Sequence, residues 1–253
     1  MRADVQHLRD FYDSPLGRVT RRLVRRRLRQ MWPDVHGLSL LGLGYATPYL
    51  RAFRAEATRV LAAMPPEQGV MAWPRGEPNL VVLGQENALP LPDRALDRVL
   101  LVHALEGSDN VRGLMRECWR VLADDGRLLV VVPSRTGIWA RLERTPFGLG
   151  RPYSPGQLSQ LLTDSLFTPL RTERALFLPP NAWRPTLASG PALEQVGRRW
   201  FATLGGVLLA EATKQIYRPV NGLKAARRHY VVLPQPLRRQ SLEDAPHRPA
   251  LHR

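Results

Sequence analysis

A single cysteine, Cys118, stands among 253 residues, which excludes an internal disulfide and any thiol-built metal cluster. A reducing compartment, the cytoplasm, is the expectation. Lysine is nearly absent as well: of 37 Lys and Arg residues only Lys214 and Lys224 are lysine. The formal charge of +15 is therefore an arginine charge. Nowhere do apolar residues run for the ~20 positions that span a bilayer. The opening Met-Arg-Ala-Asp-Val-Gln-His has no apolar leader core, so a soluble chain is expected. Also missing are a Gly-x-Ser-x-Gly elbow, a Gly-Lys-Ser/Thr phosphate loop, and paired Cys or His at metal-ligand spacing. No metal is expected.

What is present reads as alternating strands and helices. Leu38–Leu43 is an apolar strand ending in Gly44-Tyr45-Ala46-Thr47-Pro48, and Tyr49, Leu50 and Phe53 continue it as a helix. Thr47 suits an N-cap and Pro48 the first helical position. Further strands are predicted over 58–64, 79–83, 97–104, 127–132, 170–178 and 206–217. The contiguous Val99-Leu-Leu-Val102 suits a central strand covered on both faces. Helices are predicted after Ser108-Asp-Asn110, after Ser154-Pro155 and over 191–201. Cys118 falls on the apolar face of the first of these, with Leu114 and Met115, as core filling. The fold class that follows is α/β: a doubly wound, Rossmann-like sheet, mostly parallel, with right-handed crossovers.

Three segments are expected: a basic helical segment over 1–36, one α/β domain over 37–219, and a basic tail over 220–253 that lacks a periodic apolar face. In the first, Leu16, Val19, Leu23 and Leu28 recur at helical spacing among seven arginines between Arg18 and Arg29. The stripe suits packing on the domain. The arginine face also suits RNA or an anionic membrane surface.

Three longer stretches resemble class I S-adenosylmethionine-dependent methyltransferases, in particular the small-molecule subgroup related to ubiquinone and menaquinone biosynthesis. They are Leu89-Pro-Leu-Pro-Asp-Arg-Ala-Leu-Asp-Arg-Val-Leu-Leu-Val-His-Ala-Leu-Glu106, Met115 to Pro133, and Tyr153-Ser-Pro-Gly-Gln-Leu158 with Arg174 to Pro180. The resemblance spans about Leu38 to Pro219. It implies a seven-stranded sheet with an antiparallel last strand, S-adenosylmethionine as cofactor, and a small-molecule or lipid-like methyl acceptor. It places the cofactor against Gly42, Gly44, Tyr45, Ala46, Met64, Gln85, Glu86 and His103. His103 is the candidate base or acceptor-orienting group, and Trp139, Tyr153 and Trp183 are candidates for the acceptor pocket.

The chain departs from that pattern at the cofactor loop. Gly42 stands where the family has an acid, Pro48 where it has a third glycine, and Ala62-Ala63-Met64 where it has the acid that accepts the ribose hydroxyls. Losing a charge-assisted hydrogen bond costs about 1.5–3 kcal/mol. Two other readings therefore stand beside an active enzyme: a methyltransferase-like partner or regulatory subunit, and an RNA-associated protein.

Overall fold

The computed structural model describes residues 3–181 and 183–216; the basic tail expected over 220–253 lies outside them. Two helices lead the chain, α1 (Val5–Asp13) and α2 (Pro15–Met31). Asp4 caps the first and Ser14 the second, each accepting from a backbone N–H of the first turn. The stripe expected on α2 is buried at Leu16, Leu23 and Leu28, joined by Val24 and Met31, while Arg18, Arg22, Arg25 and Arg26 face solvent. Helix α1 was not expected as a separate element; it buries Val5, Leu8, Phe11 and Tyr12.

The α/β body then runs β1 (Ser39–Gly44), α3 (Thr47–Leu50), β2 (Arg59–Met64), β3 (Val81–Leu83), β4 (Leu96–Val102), α4 (Val111–Val121) and β5 (Leu122–Pro133). It continues with α5 (Pro155–Asp164), β6 (Phe167–Ala175), α6 (Arg184–Ala188), α7 (Gly190–Trp200) and β7 (Val207–Lys214). The seven strands lie in the order β3-β2-β1-β4-β5-β7-β6, with β1 to β5 paired in parallel and β7 antiparallel between β5 and β6. This is the fold class read from the sequence. The order reverses between β1 and β4, so the crevice at their carboxyl ends is where an open α/β sheet binds ligands.

Val99 to Val102 on β4 and Leu128 to Val132 on β5 are buried on both faces, which is why these strands read as unbroken apolar runs. Cys118 is buried on α4, and burial pushes its thiol far above the ordinary cysteine range, as suits a packing residue. Glu211 of β7, 1% exposed, accepts from the Trp32 indole at 3.0 Å and pairs with Arg127 and Arg171. That carboxylate ties the end of α2 to the far side of the sheet.

The predicted N-cap at Thr47 sits elsewhere. Ala46 already has helical backbone angles and accepts from the N–H groups of Tyr49 and Leu50, so Thr47 lies inside the first turn. The helix enters one residue early because Gly44, at φ +80°, completes the turn by itself.

Candidate functional site

At the carboxyl ends of β1 and β4 the chain makes a tight junction. Gly44 adopts a left-handed conformation, and a Cβ built there would stand 2.4 Å from the Val102 carbonyl oxygen and 2.9 Å from the Ala104 Cβ. The Tyr45 N–H donates to the same Val102 carbonyl at 2.8 Å. Glycine is thus demanded by close approach of the β4 backbone. Gly42 is equally enclosed, with Leu50 and Ala46 side chains where its Cβ would be.

His103 follows β4 and is the centre of the junction. It is 4% exposed and takes φ +51°, a left-handed position uncommon outside glycine. Its Nε2 lies 2.8 Å from the Tyr12 hydroxyl, which in turn is 2.9 Å from the Tyr49 hydroxyl. Its Nδ1 lies 3.2 Å from Oε1 of Glu106. Phe147 packs on the ring at 4.7 Å between centroids, and Tyr12 stacks on Tyr45 at 5.8 Å. From below, the Gln68 side-chain amide donates to the His103 carbonyl at 3.0 Å.

Burial raises the Tyr12 phenol well above the ordinary tyrosine range, and the neighbouring Tyr49 raises it further. Tyr49 is also raised by burial, and Tyr45 is pushed up to about 12. All three phenols therefore stay protonated and neutral across ordinary pH. Three acceptors in this nest lack hydrogen-bond donors: both carboxylate oxygens of Glu106, which is 5% exposed, and Oε1 of the fully buried Gln68. Native interiors rarely leave such groups unpaired, since each costs the desolvation of a polar or charged atom.

Outside the Tyr12–Tyr45 stack opens a cleft of about 310 Å³. Its apolar surfaces come from Tyr12, Tyr45, Met64, Met71, Trp73 and Pro74. Five arginines line it, Arg9, Arg21, Arg51, Arg54 and Arg75, against two carboxylates, Asp13 and Glu77. Arg54 holds Glu77 through two bonds of 3.2 and 2.7 Å and lies over the Trp73 ring. The Arg54 hydrogen bond keeps Glu77 below the usual carboxylate range.

Of the residues expected from the sequence, Tyr45 and Met64 border this cleft, and Gly42, Gly44, Ala46 and His103 lie buried behind it. Glu86 is buried and accepts from the Ser108 hydroxyl, and Gln85 is exposed in a short bridge to Ala88. The acceptor-pocket candidates are spread apart. Trp139 is in the core and donates to the Leu178 carbonyl, Tyr153 is half-buried beside Ser134, and Trp183 is exposed.

Sequence reading missed Tyr12, Gln68 and the arginine cleft. The spacing Val5, Leu8, Tyr12 would have marked a helical face, but nothing local marks Gln68. Asp34, His36 and Glu56 come within metal-ligand distance of one another at the surface, the one such group among the described residues.

S-adenosylmethionine, the cofactor implied by the resemblance, can be tested against these atoms. A glycine turn at the switch point and buried acceptors on Glu106 and Gln68 that lack hydrogen-bond partners suit a donor that carries a sulfonium and an ammonium. The end of β2 offers Met64 in place of a ribose acid, and Tyr12 covers the turn. The group fits at the acceptors and the turn, with α1 as its cover.

Residues 40–130 match a family described as methyltransferase domain, a span from β1 through most of β5. A protein of Mycobacterium tuberculosis is 28% identical over 181 residues, which are 69% of this chain and 62% of that protein. The chain thus spans less than two thirds of that relative. The S-adenosylmethionine-dependent methyltransferase of Mesorhizobium loti superposes with a TM-score of 0.53 at 18% identity, over 75% of this chain and 96% of the other. The 1,6-didemethyltoxoflavin-N1-methyltransferase of Burkholderia thailandensis, solved with 1,6-didemethyltoxoflavin and S-adenosylhomocysteine, gives 0.52 at 18% identity, over 83% and 85%. At these identities the structural likeness speaks for the fold. Residues 40–130 thus match a methyltransferase domain in sequence, and the strand order is that of an open α/β sheet with an antiparallel β7, the fold shared with these methyltransferase structures.

Proposed function

We propose that the chain is a cytoplasmic S-adenosylmethionine-dependent methyltransferase acting on a small-molecule or lipid-like acceptor. The observation that carries this reading is the buried Glu106 carboxylate, which has no hydrogen-bond partner and stands 3.2 Å from Nδ1 of His103, at the same sheet end as the Gly44 turn. A carboxylate in a low-dielectric site favours a cation, and the donor supplies one. The backbone at Gly44, Tyr45 and Ala46, with Gly42 behind it, would receive the donor, and Met64 would border it. Gln85 and Glu86 stand at the outer edge, after β3.

Bound S-adenosylmethionine supplies an electrophilic methyl group, and its transfer is an in-line displacement. The chain's own share is to align the acceptor, exclude water and, where the acceptor must lose a proton, take it at Nε2 of His103. Tyr12 now holds that nitrogen, so α1 must shift when the site is used. Among the described residues no helix is long and apolar enough to cross a membrane.

Calorimetric titration with the cationic donor and with its neutral-sulfur product, S-adenosylhomocysteine, tests the role of Glu106. The wild type should prefer the donor, and Glu106→Gln should lose that preference. An equal preference in both proteins would remove Glu106 from the site.

A further inference from the structure

The arginine cleft has a charge that methyl transfer does not explain. Its lining carries three more positive than negative side chains, and Asp10, which holds Arg9 from outside the lining, lowers the excess to two. The neutralised members are Arg9 and Arg54. Arg75 reaches Asp13 only at 3.9 Å, and Arg21 and Arg51 have no carboxylate within ion-pairing distance among the described residues. These three arginines come from α2, from the turn after α3 and from the loop before β3, so the fold gathers them from distant parts of the chain.

Like charges gathered in a concave site repel one another and raise the local potential for an anion. The guanidinium fork suits phosphate and carboxylate, to which it bonds in pairs. Beside this charge lie apolar surfaces: Tyr45, Met64, Met71, and Trp73 held in place under Arg54. A ligand that answers both has a planar or apolar body and at least two negative charges.

We propose that this cleft binds a small polyanion, a molecule bearing phosphate or clustered carboxylate groups, with Arg21, Arg51 and Arg75 on the charges and Tyr45 and Trp73 along the body. The inference goes beyond methyl transfer and rests on the arginines; the cleft shares Tyr45 and Met64 with the donor site proposed above, so an anion bound there would compete with the donor.

The test is calorimetric titration of the full chain with ADP, citrate and uncharged adenosine, on the wild type and on an Arg21→Ala/Arg51→Ala double variant. Both arginines are at least partly exposed, so the variant should keep the wild-type thermal midpoint. The expected result is saturable binding of ADP or citrate, weakened about tenfold or more in the variant and again on raising salt from about 50 to about 500 mM. Tighter binding of ADP identifies phosphate, and tighter binding of citrate identifies carboxylate. Adenosine binding as tightly as ADP, an unchanged affinity in the variant, or binding of an RNA oligonucleotide with no small anion would overturn the proposal. S-adenosylhomocysteine is titrated in parallel, so that loss of the donor reading with ADP still bound is told apart from failure of the cleft.

Discussion

The Tyr12 hydroxyl on α1 lies 2.8 Å from Nε2 of His103, 91 residues further along the chain, and joins the N-terminal helix to the end of the central strand. Tyr12 is 2% exposed and His103 4%, so neither can exchange this bond for one to water. Tyr12→Phe keeps the ring packing and removes the hydroxyl, which strands the imidazole nitrogen and the Tyr49 hydroxyl. The expected cost is about 1–3 kcal/mol. It is read as a fall in thermal midpoint of about 2–4 °C for each kcal/mol in a domain of this size. An unchanged midpoint would mean that α1 is not anchored there.

Gly44→Ala tests whether the glycine serves the fold or only a ligand. The new methyl group would meet the Val102 carbonyl at 2.4 Å, and the backbone would be held at φ +80°, where a side chain is strained. A loss of about 1–3 kcal/mol in urea unfolding is expected before any ligand is added. Gly156→Ala, near the start of α5 with nothing within 4 Å of the added atom, should be neutral or slightly stabilising. Equal stability of the two variants would contradict the packing account. It follows that lost ligand binding in a Gly44 variant counts only after folding has been checked.

How far the fold could be read from sequence depended on periodicity. The runs at Leu38–Leu43, 97–104 and 127–132 announced β1, β4 and β5 because strands covered on both faces leave no polar alternation. Asp124-Asp125-Gly126, read as a turn, lies instead inside β5, which is continuous from Leu122 to Pro133; what remains of the turn is a shift of register, with Leu122 against Leu96 and Arg127 against Arg98. Tyr12 was not legible, since an aromatic on a short amphipathic helix looks the same whether it packs in the core or covers a site. The five cleft arginines were lost in an arginine-rich composition. Of the seven between Arg18 and Arg29, only Arg21 faces the cleft, and that selection is made by tertiary packing.

Glu117 provides a pH test. It accepts from the Leu89 N–H at 2.8 Å and from Arg120 at 2.8 and 3.0 Å, which clips the loop before β4 onto α4. The Arg120 hydrogen bonds, with help from the Leu89 amide and the nearby guanidinium charge, hold its carboxyl below the usual range. The unfolded chain therefore binds this proton more readily than the folded one. The stabilisation is present above the ordinary carboxylate range and is lost as pH falls through it. Glu117→Gln should cost about 1.5–3 kcal/mol near pH 7 and much less near about pH 3, measured by urea unfolding at both. A deficit independent of pH would show that shape, not charge, is what Glu117 supplies.

The most direct test of a methyl-donor site is calorimetric titration with S-adenosylmethionine of the wild type and of Met64→Glu, which returns an acid to the end of β2 at similar side-chain volume. Saturable binding by the wild type, tightened by about one to two decades in the variant, is the result expected if the donor lies along the Gly44 turn with its ribose at Met64. No heat of binding from either protein at about millimolar donor would contradict it and leave a methyltransferase fold kept for another task.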